Sequence, residues 1–307
     1  MAGNAGAVAA NRRKQQPGRS LRGDDDLMMA LLHSEWERLW KRKIAWMFLI
    51  AIPLIILATA KYYTGHNLTV PSGSPEYTTA ENFPVMAMIE QLIVVFNVVA
   101  LVLLTMSFTE EYRSGQLRLI MLRAYSSGQL FWAKWLAFAL MMALFFLVYL
   151  LASLACGYIF FQSSSRQILF YYDHSIASGE MVLYTLRYYG VAYATIVGMA
   201  SVFIGIGAAA RSSTAAIGLG MGFLLCSLGY PLIFDMANRV LGLELPAMLR
   251  YLSLTEIQFS GIAVMMSSTD VIKAMHPGGW MACILALYMV VFTAAAHLIF
   301  TKSDRWI

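Results

Sequence analysis

Charge is what this sequence has least of. Of its 307 residues, 13% are Asp, Glu, Lys or Arg and 59% are hydrophobic. A soluble domain carries about 25% charged residues. The chain cannot cover a water-exposed surface of its own, so a soluble globular fold is excluded. Cysteine is nearly absent. Cys156, Cys226 and Cys283 each sit inside an apolar run, with neither a disulfide framework nor a zinc spacing. Each reads as a small buried hydrophobe, and no metal is expected. The signature G-x-x-x-x-G-K-[ST] does not occur, so the chain lacks the phosphate-cradling loop of an ATPase. The net charge is +5, but no basic stripe lies on a polar domain, which argues against nucleic acid as a partner.

What the sequence has is apolar length. Six segments approach the roughly 20 residues that cross a bilayer: 44–60, 83–108, 131–161, 188–210, 215–234 and 279–300. The first ends in Ala58-Thr59-Ala60, which looks like a leader cleavage site. However, 43 residues precede it and its apolar run holds 17, against about 7–15 in a secretory signal. It reads as a retained span. Sixteen Lys and Arg fall on one side of this arrangement and six on the other. The positive-inside rule then puts both termini in the cytoplasm. Domain expectations follow: a disordered basic tail over 1–23, an interfacial amphipathic helix over 24–43, and a six-helix transmembrane domain over 44–307. The fold class is all-α, a polytopic membrane protein.

The interfacial helix is expected to be capped by Asp24-Asp25-Asp26. Met29, Leu32, Trp36, Leu39 and Trp40 form its apolar stripe and Glu35, Arg38, Lys41 and Arg42 its polar side, an arrangement suited to lying along membrane lipid. On the far side, Tyr171, Tyr172, Tyr184, Tyr188 and Tyr189 suit a headgroup belt. Residues 254–266 could be short helices dipping into that leaflet. Asn67-Leu68-Thr69 matches a glycosylation sequon. Gly218 and Gly222 form a small-xxx-small pair that lets helices pack closely.

The loop 108–134 holds the densest mixed charge. Ser114-Gly115 ends one helix, and Ser126 or Ser127 can cap the third span. Between them, Leu117, Ile120, Met121 and Ala124 form a helical stripe, and Leu119 and Leu122 add apolar surface outside it. A short helix apolar nearly all round calls for burial against a second protein.

Glu110-Glu111-Tyr112-Arg113-Ser114-Gly115, with Leu117, Gly128-Gln129-Leu130 and Lys134, resembles the cytoplasmic loop of ABC-2 type permeases, the membrane subunits of ABC exporters. Gln116 replaces the usual Thr, and Ala124-Tyr125 replace a Pro. The resemblance implies a short cytoplasmic coupling helix between spans two and three. Glu110, Glu111, Arg113, Gly115, Leu117, Ile120 and Met121 would couple it to an ATPase subunit present in two copies, which would hold the ATP and Mg. It further implies a second permease subunit, the same or related, a cavity made largely of spans two and five, and a bacterial plasma-membrane setting. The chain would then be a transport subunit rather than an enzyme, exporting a lipid-like, drug or peptide cargo.

Two rivals follow from the residues. An ion- or proton-coupled carrier needs ionisable groups within spans. Glu90 is the clearest, with Asn97 seven residues on and expected on the same helix face; both are candidate substrate-path residues. A membrane-embedded hydrolase is disfavoured, because Arg113 follows Glu111 too closely for an E-E-x-x-x-R motif and only His297 lies near a span.

Overall fold

The computed structural model describes residues 19–114, 126–210, 212–242, 244–269 and 277–302, without the side chains of 19–26 and 110–114. Six helices are long and apolar enough to cross a membrane: Lys43–His66, Phe83–Thr109, Ser127–Phe160, Ser178–Ala209, Ser213–Leu241 and Pro277–Lys302. They are spans one to six below. The only strands among the described residues are the two-residue pair Arg166–Gln167 and Ile176–Ala177, antiparallel in the connection between spans three and four. The all-α polytopic class is therefore established.

Spans two and four form the centre. Two thirds of the apolar stretch of each is buried, against 22% in span six and 28% in span five. Span four packs on spans six and two, span two on span five, and span three on span one. Hydrocarbon tails are as apolar as Leu, so van der Waals fit rather than hydrophobicity holds such helices together. Aromatic rings supply much of that fit. Phe96 meets Phe48, Phe146 and Tyr149 at centroid distances of 5.4, 4.6 and 5.4 Å, joining spans one, two and three. Nearer the end that carries the N-terminal helix, Phe108, Phe131 and Phe300 pack at 5.6–5.8 Å and join spans two, three and six. Edge-to-face and offset geometries favour such pairs.

Glycine matters at two contacts. A Cβ on Gly157 would lie 2.6 Å from the Ala80 carbonyl oxygen, and one on Gly220 would collide with the tip of Leu101. Gly218 and Gly222, the expected packing pair, have nothing within 4 Å. They lie on an open face of span five and do not pack within the chain.

Several local expectations are corrected. The N-terminal helix runs Arg19–Trp40, so Asp24-Asp25-Asp26 fall inside it rather than at its cap. Met29 is exposed and Glu35 is buried; the packed face passes through Leu31, Glu35 and Leu39. Tyr184, Tyr188 and Tyr189 are buried in the bundle rather than ranged at its rim. Cys226 and Cys283 are exposed on its sides. Asn67 does not present a free amide: its Nδ2 donates to the Thr78 carbonyl at 2.7 Å and its Oδ1 accepts from the Thr78 N–H at 2.9 Å, closing the 67–78 loop. The Ser126 cap is present. Its Oγ accepts from the Gln129 N–H, and the Gln129 side chain accepts from the Ser126 N–H, a reciprocal capping box.

Candidate functional site

Span two is not one α-helix. Phe83–Gln91 passes into a π-helical turn, Leu92–Phe96, and then into the α-helix from Asn97. A π turn inserts one residue into the helical count and is often found at functional sites. Glu90, Gln91 and Asn97 flank it.

Glu90 lies about 10 Å along the helix from Phe83, at 1.5 Å per residue. Its Oε1 accepts from the Tyr63 hydroxyl of span one at 3.1 Å, and that hydroxyl also lies 3.4 Å from the Met86 carbonyl. Beside it, Gln91 Nε2 donates to Thr59 Oγ1 at 3.3 Å. Glu90 is exposed at the side of the bundle, one turn from Val94, which is 57% exposed. An ionisable group on an apolar lateral face is costly unless water or another subunit covers it.

Asn97 lies on the other side of the turn. It is wholly buried, as is its partner Gln258. Asn97 Nδ2 donates to Gln258 Oε1 at 2.7 Å, and Gln258 Nε2 donates back to Asn97 Oδ1 at 3.2 Å. Asn97 Nδ2 also reaches the Ile93 carbonyl within the π turn at 2.8 Å. Gln258 belongs to a second π turn, Ile257–Gly261, so one reciprocal amide pair joins two π turns. The expectation that Glu90 and Asn97 act together on one face is not met: the extra residue between them turns Glu90 toward span one and Asn97 toward the connection after span five.

That connection, the re-entrant candidate, is a broken helix over Leu254–Met265. It is tied to span five by the hydroxyls of Ser227, Ser253 and Thr255, which lie 2.9–3.0 Å from one another. Buried Glu256 accepts from Arg250 at 3.0 Å and from Ser260 at 2.7 Å, and Arg250 also lies 3.5 Å from Asp235. Every polar group of this segment named here has a partner, as buried polar groups require.

At the other end, the N-terminal helix is bolted to span three. Lys134 Nζ lies 2.8 Å from Glu35 Oε2, Arg38 lies 3.0 Å from Glu35 Oε1, and Arg42 donates to the Met106 carbonyl of span two at 3.1 Å. The sequence places Glu35 and Arg38 on the polar side of the interfacial helix and Lys134 only in the loop motif. The one available signal was a lone Lys in an otherwise apolar run. The predicted coupling positions Gly115, Leu117, Ile120 and Met121 lie outside the described residues, as do the side chains of Glu110, Glu111 and Arg113.

The chain matches, over residues 42–305, a family model described as a protein of unknown function, DUF2705. It belongs to that family. No curated protein matches it. The match corrects the resemblance to ABC-2 type permeases, since the family that covers the spans and the loop is a different one. The motif that suggested it consists of a helix-ending glycine, a capping Ser-Gly-Gln and charges at a membrane edge. Any loop between two spans needs such features for its own capping and charge placement.

Proposed function

We propose that this member of the DUF2705 family is the membrane-spanning subunit of a transport assembly that moves an apolar or amphipathic molecule across the plasma membrane, powered by ATP hydrolysis on a separate subunit. The observation that carries the reading is Glu90, an exposed carboxylate on the apolar flank of a central span, beside a π turn wired through Asn97 and Gln258 to a second one. A carboxylate there needs either water or a partner surface. A second copy of the chain, closing over span two, would supply both a covered path and a wall. The scarcity of other charges along the spans favours an apolar or amphipathic cargo over a highly charged one.

The motor is a partner, because the chain carries no phosphate-cradling loop. Its docking point is the loop between spans two and three. Lys134 and Met106 flank that loop, and both are tied to the N-terminal helix through Glu35 and Arg42. Motion of the loop would therefore reach spans two and three and the helix together. In this reading the termini are cytoplasmic and transport runs outward.

The test is reconstitution of the chain in liposomes with and without any ATPase that co-purifies with it. ATP-dependent movement of a fluorescent amphiphile, seen only with both proteins, supports the reading. Co-purification that fails, together with ATP-independent transport by the chain alone, overturns it. A second reading, a cation- or proton-coupled carrier, is favoured by the Glu90–Tyr63 pair alone. It predicts transport by the isolated chain that follows an imposed ion gradient and is lost in Glu90→Gln.

A further inference from the structure

The end of the bundle away from the N-terminal helix holds a cavity of about 720 Å³ that the Glu90–Asn97 seam does not use. One wall is the start of span four, where Glu180, Tyr184 and Arg187 recur on a single face. The opposite wall is the loop segment Tyr172–Ile176. Met265 and Met266, at the end of the re-entrant segment, complete it.

The loop wall is held in place at a cost. Tyr171 adopts φ +62°, a left-handed conformation that costs a side-chain-bearing residue roughly 1–2 kcal/mol. Its carbonyl accepts from Ser267 Oγ at 2.9 Å, the Ser268 N–H at 3.1 Å and Thr269 Oγ1 at 3.0 Å. Thr269 Oγ1 also lies 3.1 Å from Asp173 Oδ1. On the other side of Tyr172, the Asp173 N–H donates to Ser268 Oγ at 3.3 Å, so the backbone is held both before and after that residue. Strain maintained in this way tends to mark a functional surface.

The held residue presents an aromatic surface. The Tyr172 ring lies 5.8 Å from His174 and 5.8 Å from Tyr184, edge to face with the latter. Burial pushes the Tyr172 phenol up, Arg187 draws it down and Glu180 pushes it up again, so the ring lies within reach of both charges. Among the described residues, Arg187 forms no hydrogen bond or ion pair. Glu180 and Arg187 lie seven residues apart on one face of the helix and both line the cavity. Below the charges the lining is apolar, with Leu183, Val191 and the two methionines. Gly190 leaves that part open, with nothing within 4 Å of where its Cβ would lie.

We propose that this cavity seats a membrane phospholipid with a zwitterionic headgroup. The ammonium lies against Tyr172, His174 and Glu180, the phosphate on Arg187, and the acyl chains over Leu183, Val191 and Met266. Aromatic faces beside a carboxylate attract an ammonium, and a guanidinium pairs with a phosphate. A purely anionic headgroup would meet Glu180 and a purely cationic one Arg187, so the charge pair selects for both signs. The apolar lower half favours an intact lipid over a soluble zwitterion, and methionines adapt to flexible chains. The proposal does not rest on the transport reading.

The test uses the full chain, delipidated in neutral detergent and titrated with single lipids while native mass spectrometry counts those retained. Phosphatidylcholine or phosphatidylethanolamine should be retained about tenfold more tightly than phosphatidylglycerol or diacylglycerol, a difference well within reach of the method. Arg187→Gln and Glu180→Gln should abolish that preference with elution and melting unchanged. Gly190→Leu, which keeps every charge and fills the apolar half, should lower retention of all four lipids. Equal retention of every headgroup by the wild type, or an unchanged preference in the Arg187 and Glu180 variants, overturns the proposal. So does glycerophosphocholine competing as well as the whole lipid, which would identify a soluble ligand.

Discussion

Lys134 Nζ lies 2.8 Å from Glu35 Oε2, with the two side chains only 1% and 3% exposed and 99 residues apart in the chain. Arg38 takes the other oxygen of Glu35. A buried pair of this kind adds little net stability relative to apolar residues of the same shape, because both ions lost their hydration to form it. Removing Glu35 is different, since it withdraws the one carboxylate that Lys134 and Arg38 share. Its value here is positional: it fixes where the N-terminal helix sits against the first turns of span three.

Glu35→Ala should destabilise the folded chain by about 3–5 kcal/mol, the usual penalty for breaking a buried pair, and Lys134→Ala by less, because Arg38 still pairs with Glu35. The double replacement Glu35→Leu with Lys134→Met should lose much less than the two single losses combined. Thermal unfolding in detergent, followed by tryptophan fluorescence, reads this directly, because Trp36 and Trp40 lie on the same helix and pack 5.9 Å apart. Additive losses would mean that the two residues do not act as a pair.

The helix contact also marks where sequence reading stopped. Six spans follow from apolar length, and a serine cap at 126 or 127 from the Ser-Ser-Gly break before span three; both are local patterns. In the N-terminal helix, Leu32, Trp36 and Leu39 were legible as an apolar stripe. Glu35 was not legible as buried, because its partner is far away in the chain and periodicity carries no information about it. The same holds for Tyr184, Tyr188 and Tyr189: aromatic residues near a span end suit a rim as well as a core, and only the packing of span four decides. Glu90 could be singled out as an ionisable group within a span. The π turn that separates it from Asn97 could not, because Leu92–Phe96 has the same apolar composition as the α-helix around it.

Two glycines should respond very differently to the same change. At Gly157 an added methyl would meet a backbone oxygen, that of Ala80, at 2.6 Å. Backbone cannot swing aside, and the neighbouring Ala80 N–H is already bonded to the Gln162 carbonyl at 3.1 Å. At Gly220 the obstacle is the end of a Leu side chain, which can change rotamer. Gly157→Ala should therefore cost about 1–3 kcal/mol by overpacking, and Gly220→Ala less than about 1 kcal/mol. Melting temperatures of the two variants, measured side by side, check the order. Equal losses would mean that the 78–83 segment yields as easily as a side chain.

Glu90 gives a functional prediction that separates charge from shape. Glu90→Gln keeps the acceptor for Tyr63 and removes the charge; Tyr63→Phe keeps the charge and removes the hydrogen bond at 3.1 Å. An interhelical hydrogen bond of this sort contributes about 0.6–2 kcal/mol, so both variants should fold and melt near the wild type. If Glu90 lines the transport path, Glu90→Gln should reduce amphiphile transport in reconstituted liposomes by about tenfold or more, the effect of roughly 1.4 kcal/mol on a barrier, while Tyr63→Phe changes it little. Equal activity in Glu90→Gln and the wild type would reduce Glu90 to a helix-packing residue.

The Asn97–Gln258 pair links two helices whose regular hydrogen bonding is interrupted at the same level, and that makes it separable by a double-mutant cycle. Each amide is wholly buried and each donates to the other. Asn97→Leu leaves Gln258 with an unpaired donor and acceptor, a loss of about 1–3 kcal/mol. Gln258→Leu costs less, because Asn97 keeps its bond to the Ile93 carbonyl at 2.8 Å. Once the partner has gone, the second change removes the stranded group, so the double variant should be more stable than Asn97→Leu alone. Coupling of this sign requires direct contact. The asymmetry between the single variants further identifies which π turn depends on the pair. If Asn97→Leu is the worse of the two and slows transport while Gln258→Leu does not, the bond to Ile93 is what the second span needs. If both singles are alike and their effects add, the two amides are independent, and the π turns are held by packing alone.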